Sequence, residues 1–336
     1  MAPCARRRAA APLWREQPRG RRAVRGLSAG FRVDEALMTD GAMTGPLVSV
    51  VLPTYRRARL IERAVCNVLS QDYPNLELIV VNDGSPDHTG EILARLEREH
   101  GNGRLRVITK DNGGLPCALN TGFEAARGEY WTWTSDDNAY RPGAISAMVQ
   151  ELERHREAVM VFADYQVINA NGSPGEIRTM GPVSELVGRN VIGACFLYRA
   201  SAARQVGAYD ASRELAEDYD YWVRMAKVGP LRHLSRVLYD YGDEPDSLTR
   251  QKALEVSHAA ARVIAAQGSR QALRQHMTAL AGQLKSAGHG AQSLRTALWL
   301  VWRYPLSGAG YWAALRALTP MAFLRWTRRL RGIRES

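Results

Sequence analysis

The chain has 336 residues, 46% hydrophobic and 24% charged, with a formal net charge of +11; this describes an ordinary globular protein, long enough for one large domain with appendages. The excess charge sits at the ends: residues 1–45 hold nine Arg against four acids, and residues 299–336 hold seven Arg against one. The balanced body excludes a nucleic-acid binder that reads its partner through a basic stripe on the fold, and no run approaches the ~20 apolar residues of a membrane-spanning helix.

Residues 1–45 read as a disordered basic leader. Its Arg-rich start lacks the apolar core of a signal peptide. Met38 and Met43 stand just before the first strand, and initiation at either would remove the leader. Cys4, Cys66, Cys117 and Cys195 form no CxxC pair and show no metal spacing. Cys66 on a helix face and Cys195 in an apolar strand are read as small buried hydrophobes. A reducing cytoplasm fits that usage.

From Leu47 strand and helix patterns alternate. LVSVVLP (47–53) is an apolar run of buried-strand type, and ARLIERAVCNVLSQ (58–71) spaces its apolar residues as a helix does. LELIVVND (76–83) is a second strand, followed by the turn Gly84-Ser85-Pro86-Asp87 and a helix over 89–100. RLRVITK (104–110) is a third strand, and Asn112-Gly113-Gly114 turns into the next helix. EYWTWTS (129–135) is a fourth strand ending at Asp136-Asp137, and Pro142 opens a helix that reaches about His155. Such repeats predict an α/β fold with a mostly parallel central sheet and helices on both faces.

Beyond residue 156 the pattern changes. Strands at 158–169 and 175–180 flank Asn171-Gly172, a hairpin turn signal. GACFLYR (193–199) is a strand, EDYDYWVRMAKVG (217–229) a helix, and PLRHLSRVLYDY (230–241) a last strand. From about Gln251 the chain reads as mostly helical. This sets the expected division at 46–250 for the catalytic domain and 251–336 for a helical C-terminal region.

Ligands of parallel sheets bind beyond the carboxyl ends of the strands. Pro53-Thr54, Asp83 and Asp136-Asp137 all stand there, and Glu217-Asp218 open a helix. Each acid also fits a plainer role: Asp83 an Asx turn before Gly84, Asp136-Asp137 a helix cap, Glu217-Asp218 a favourable first turn. Trp131 and Trp133 alternate along a strand and read as core packing. His88, His233 and His258 show no ligand spacing and read as surface groups.

In order along the chain, VVLPTYRR, VVNDGS, NGGLPCALNTGFEAARGEY, SDDNAYRP and EDYDYWVRMA resemble the family 2 glycosyltransferases across roughly residues 46–249. The resemblance implies a GT-A fold, a non-processive transfer inverting at the anomeric carbon, and a divalent cation, Mn²⁺ or Mg²⁺. It also implies the roles. Pro53, Thr54 and Tyr55 line the nucleotide pocket, and Asp83 binds the base. Asp136 and Asp137 are the metal-and-ribose acids of a DXD-like motif. Asp218, beside Glu217, is the catalytic base. Two positions depart from the family pattern. Thr134 stands where many relatives carry Asp, and Glu244 stands where many carry His. A carboxylate at 244 is itself a ligand for such a cation.

The chemistry wants these groups. A cation on Asp137 offsets the charge of a leaving diphosphate, and a carboxylate at Asp218 takes the acceptor's proton, contributing ~10²–10⁴-fold. The expected partners are a nucleotide-diphosphate sugar and a hydroxyl of a glycan or lipid-linked acceptor. A sugar nucleotidyltransferase would want a Gly-rich basic loop after the first strand and would leave Glu217-Asp218 without a task. A non-catalytic sugar-binding protein would not need the full set of acids. The tail, 297–336, mixes Trp and Leu with Arg, with Pro320 interrupting. Trp312, Leu315, Phe323, Trp326 and Leu330 suit peripheral contact with the inner face of a membrane; a helical pair packed on the protein is the other reading.

Overall fold

The structure, a computed structural model, describes residues 45–101, 103–243 and 248–319. The leader up to residue 44, Glu244, and the tail positions Pro320, Phe323, Trp326 and Leu330 lie outside the described residues. The chain divides into two compact units: one runs to Val183 and resumes over Val191–Gln251, the other comprises Ser184–Asn190 and the chain from Lys252.

The first unit follows the alternating pattern closely. β1 (Val48–Thr54), α1 (Ile61–Leu69), β2 (Leu76–Asn82), α2 (Thr89–His100), β3 (Leu105–Thr109), α3 (Leu115–Ala125) and β4 (Tyr130–Trp133) come first. β5 (Ala139–Tyr140), α4 (Ala144–Arg154), β6 (Met160–Asn169), β7 (Pro174–Arg178), β8 (Cys195–Arg199), α5 (Ala200–Val206), α6 (Glu217–Met225), β9 (Leu231–Asp243) and α7 (Leu248–Gln251) complete it. β5 and α5 are absent from the sequence reading, being too short to establish a period.

Among the described residues nine strands form one mixed sheet, ordered β3-β2-β1-β4-β8-β6-β9-β5, with β7 added to β6. The first four strands are parallel. β8 runs antiparallel to both β4 and β6, and β6 and β9 are parallel to each other. β8 therefore joins two parallel sets whose carboxyl ends share one edge. Asn171-Gly172 makes the β6–β7 hairpin, with Gly172 at φ +88° and Asn171 Oδ1 accepting from Ser173 N–H.

One face of the sheet carries the aliphatic core: Val48, Val50 and Leu52 of β1 and Leu76, Leu78 and Val80 of β2 pack with Ile61, Val65 and Val68 of α1. The run of buried residues in β1 and β2 follows from burial on both faces. On the other face α3 lies so close that a Cβ at Gly122 would fall 2.4 Å from Val51 Cγ1.

In the second unit α8 (Ala253–Ala266), α9 (Arg270–Ser286), α10 (Gly290–Arg303) and α11 (Gly308–Leu318) surround a small core of Ala261, Met277, Leu280, Leu284 and Leu300. Ser269 caps α9 by accepting from Ala272 N–H. No helix among the described residues is long and apolar enough to cross a membrane.

Candidate active site

Pro53 and Thr54 end β1, Asp83 follows β2, and Asp136-Asp137 follow β4. Register sets these ends side by side: Thr54 pairs with Asn82, and Val51 with Trp133. The β1 loop is then pinned to the loop after β2. Arg56 adopts φ +58° and donates its N–H to Ser85 Oγ, while Arg57 N–H donates to Thr89 Oγ1. Tyr55, just before them, is 43% exposed. A left-handed non-glycine residue costs of order 1–3 kcal/mol and is held only by such surrounding bonds.

Asp83 is buried and hydrogen-bonded on both carboxylate oxygens. Oδ1 accepts from Lys110 Nζ at 2.9 Å and Gly113 N–H at 3.0 Å; Oδ2 accepts from Gly114 N–H at 2.9 Å. Its backbone N–H donates to Thr54 O, and its carbonyl accepts from Asn112 Nδ2. Of about four lone-pair sites on a carboxylate, one on Oδ2 stays unfilled by these bonds. Gly84 at φ +72° lets the two loops meet, since a Cβ there would fall 2.8 Å from Asn112 N.

Asp136 is buried between Thr54, whose Oγ1 donates to Oδ2 at 2.9 Å, and Arg57, whose Nε lies 3.3 Å from Oδ1. Burial and then the charge of Asp137 push its carboxyl up to about 7, with Arg57 and Thr54 opposing. The Asp137 segment is held against β9. Asn138 Oδ1 accepts from Gly242 N–H at 3.0 Å, and a Cβ at Gly242 would fall 2.5 Å from Asp137 O. Thr134 is buried with its hydroxyl 2.5 Å from that of Tyr239.

Glu217 and Asp218 open α6, which follows Leu215 at φ +71°. Glu217 is buried, and burial followed by the charge of Asp218 pushes its carboxyl up to about 7. Its Oε2 has no hydrogen-bond partner among the described residues. Asp218 is half-buried, with Oδ1 accepting from Tyr219 N–H.

Aromatic packing fixes where α6 begins. Trp222 is fully buried, edge-on to Phe196 of β8 at 4.5 Å. Tyr221 stacks on Tyr209 at 4.0 Å, and Tyr209 Oη accepts from Trp133 Nε1 at 3.1 Å. Trp133 precedes Asp136 by one short turn, so the column links both acid clusters. Burial raises the Tyr165 hydroxyl, and the Asp218 charge adds to that rise. Tyr165 lies on β6 at the carboxyl edge, its ring 5.4 Å from that of Tyr241.

Thr54, Asp83 and Asp136 are thus in direct or backbone contact, Asp137 is adjacent, and Glu217-Asp218 are tied in through the aromatic column. Sequence reading missed Arg57 and Lys110, the cations on Asp136 and Asp83. The signal was present, since PTYRRAR and VITK place basic residues directly after β1 and β3. It also misjudged His233 as a surface group: Nε2 lies 2.7 Å from the buried Asp164, and the ring stacks on Phe162. Trp131 is buried against Phe123, as core packing predicts.

Among the described residues no three or more His, Cys, Asp or Glu form a ligand set for a metal. Adjacent Asp136 and Asp137 offer hard carboxylate oxygens, the ligand type Mg²⁺ or Mn²⁺ prefers when phosphates and waters complete its shell.

The fold is that of the GT-A glycosyltransferases. A mannosyltransferase from Pyrobaculum calidifontis, solved with GDP-Man and Mn²⁺, superposes with a TM-score of 0.54 at 18% identity, covering 81% of this chain and 84% of that one. S. aureus TarS 1–349 in complex with UDP-GlcNAc gives 0.53 at 18% identity, with 71% of each chain covered. Residues 49–207, just under half of the chain, match the family model for glycosyl transferase family 2. A Rickettsia felis protein named an uncharacterized glycosyltransferase is 31% identical over 206 residues, 57% of this chain and 33% of that protein. The chain spans about a third of that relative's length.

Proposed function

We propose that this protein transfers a single sugar from a nucleotide-diphosphate donor to a hydroxyl of a glycan or lipid-linked acceptor, with inversion. The observation that carries this reading is the Thr54–Asp136 hydrogen bond across the ends of β1 and β4. It sits beside Asp83 and is joined to Asp218 through Trp133, Tyr209 and Tyr221.

In this reading Pro53, Thr54 and Tyr55 form the pocket wall, and the remaining lone pair of Asp83 accepts from an N–H of the base. Arg57 and Lys110 flank the path of the diphosphate. A divalent cation bound through Asp137, with Glu244 a further candidate ligand, would offset the leaving group's charge. Asp136 is already engaged by Thr54 and Arg57, which favours Asp137 for that role. Glu217 holds its proton up to about pH 7, so Asp218, the less buried of the pair, is read as the base. Asp218 then takes the acceptor's proton as its oxygen attacks, and one displacement inverts the carbon.

The test is nucleotide release from a donor panel, including UDP-GlcNAc and GDP-Man, with Mn²⁺, with Mg²⁺ and with chelator. Release from one donor that stops on chelation supports the reading. Release from none, in any metal and with acceptor glycans supplied, overturns it.

A further inference from the structure

We infer that the second unit is a docking surface for an anionic lipid bilayer, with the groove between α9 and α11 seating a lipid phosphate. Charge is the first observation. From Val256 to Arg334 the sequence contains no Asp or Glu, yet it holds eleven Arg and Lys285. Helices of soluble domains normally intersperse both signs; here nothing along the segment offsets the cations, so it presents a positive field.

The second observation is apolar. Leu298, Trp302, Leu306, Tyr311, Trp312, Leu315 and Leu318 are between 52% and 102% exposed, all within α10, α11 and their connection. Elsewhere among the described residues only Tyr55, Ile177 and Val187 are large, apolar and exposed. Such clustering marks an interaction surface, and Trp and Tyr beside Arg suit the depth of lipid headgroups.

The third is a groove of about 630 Å³ between α9 and α11, lined by Arg274, Thr278, Gln283, Ser286 and Arg316, with no acid on its walls. Arg274 also donates to Ser307 Oγ at 3.1 Å, bracing the α10–α11 connection. Arginines with amide and hydroxyl donors suit a phosphate.

Charge chooses the occupant. A second copy of this unit would bring the same positive field, and residues 320–336 themselves hold five of the eleven Arg. Both are disfavoured, whereas an anionic bilayer complements the arginines and accepts the Trp and Leu side chains.

The test uses the full chain with phosphatidylglycerol and phosphatidylcholine vesicles, read by flotation and by hydrogen exchange. The expected result is salt-sensitive binding to phosphatidylglycerol alone, with new amide protection over 302–318. Arg274→Gln with Arg316→Gln weakens it roughly fivefold per arginine, and Trp302→Ser with Trp312→Ser also weakens it. Equal binding to both lipids, flotation without protection at 302–318, or variants that float like the parent would each overturn the inference, moving the contact to another segment or to none. Donor turnover without vesicles stays unchanged in these variants, so this test and that of the transfer reaction fail separately.

Discussion

The ring of Tyr209 lies flat on that of Tyr221, centroids 4.0 Å apart and planes 6° apart, and its hydroxyl accepts from Trp133. This pair joins the helix that begins with Glu217-Asp218 to the strand that leads into Asp136-Asp137. The separation of the two acid clusters is therefore set by side-chain packing as well as by backbone.

Tyr209→Phe keeps the stack and removes the acceptor for Trp133 Nε1. Leaving that N–H without its acceptor costs about 1–3 kcal/mol. Urea unfolding should show that loss, and turnover should fall more than donor affinity, because α6 shifts against a pocket that stays built. Tyr209→Ala removes the ring as well and should cost about 3–5 kcal/mol.

Asp218→Asn retains shape and removes the base. Turnover should fall by ~10²–10⁴-fold, with donor KM nearly unchanged, since a group acting only in the transition state leaves ground-state binding alone. Steady-state kinetics with donor and acceptor varied separately check this. A rise in donor KM at constant kcat would assign Asp218 to donor binding instead.

Glu217 carries a pH signature. Its carboxyl rises to about 7 on folding through burial and the Asp218 charge, from an ordinary value near 4.5. The folded state thus holds a proton that the unfolded state releases between those values. The stabilisation is full below the unfolded value and is lost as pH rises through about 7. Glu217→Gln should therefore gain stability relative to the parent on going from pH 4 to pH 8, by about 3 kcal/mol. Asp136, raised in the same direction, keeps a slope of the same sign in the variant. Thermal melts across this range without added metal read both.

Gly242 and Asp137 make a paired test. A methyl at 242 would fall 2.5 Å from Asp137 O, so Gly242→Ala must push the Asp136-Asp137 turn off β9. Overpacking of this kind costs about 1–3 kcal/mol. The Mn²⁺ concentration for half-maximal nucleotide release should rise in Gly242→Ala and rise further in Asp137→Asn. Unchanged metal dependence in both would remove Asp137 from the role of ligand.

The order of strands and helices in the first unit was legible because apolar runs and helical spacing are local properties, and the strand-end acids could be picked out for the same reason. Asp83 and Asp136 were visible as residues, but not the cations that hold them. Arg57 reaches an acid 79 positions away, and Lys110 one 27 positions away, and no spacing rule encodes such pairs. His233 was misread for the same reason, since Asp164 meets it only through the β6–β9 pairing.

The linear order of residues was enough to determine an α/β sheet with carboxylates at its strand ends, since side-chain pattern alone dictates which segments bury which faces. Only the tertiary structure decided that β8 reverses direction to join two parallel sets, and that an aromatic column spans from Trp133 to α6. Those outcomes depend on contacts between distant segments, whose energies exist only after the chain has closed on itself.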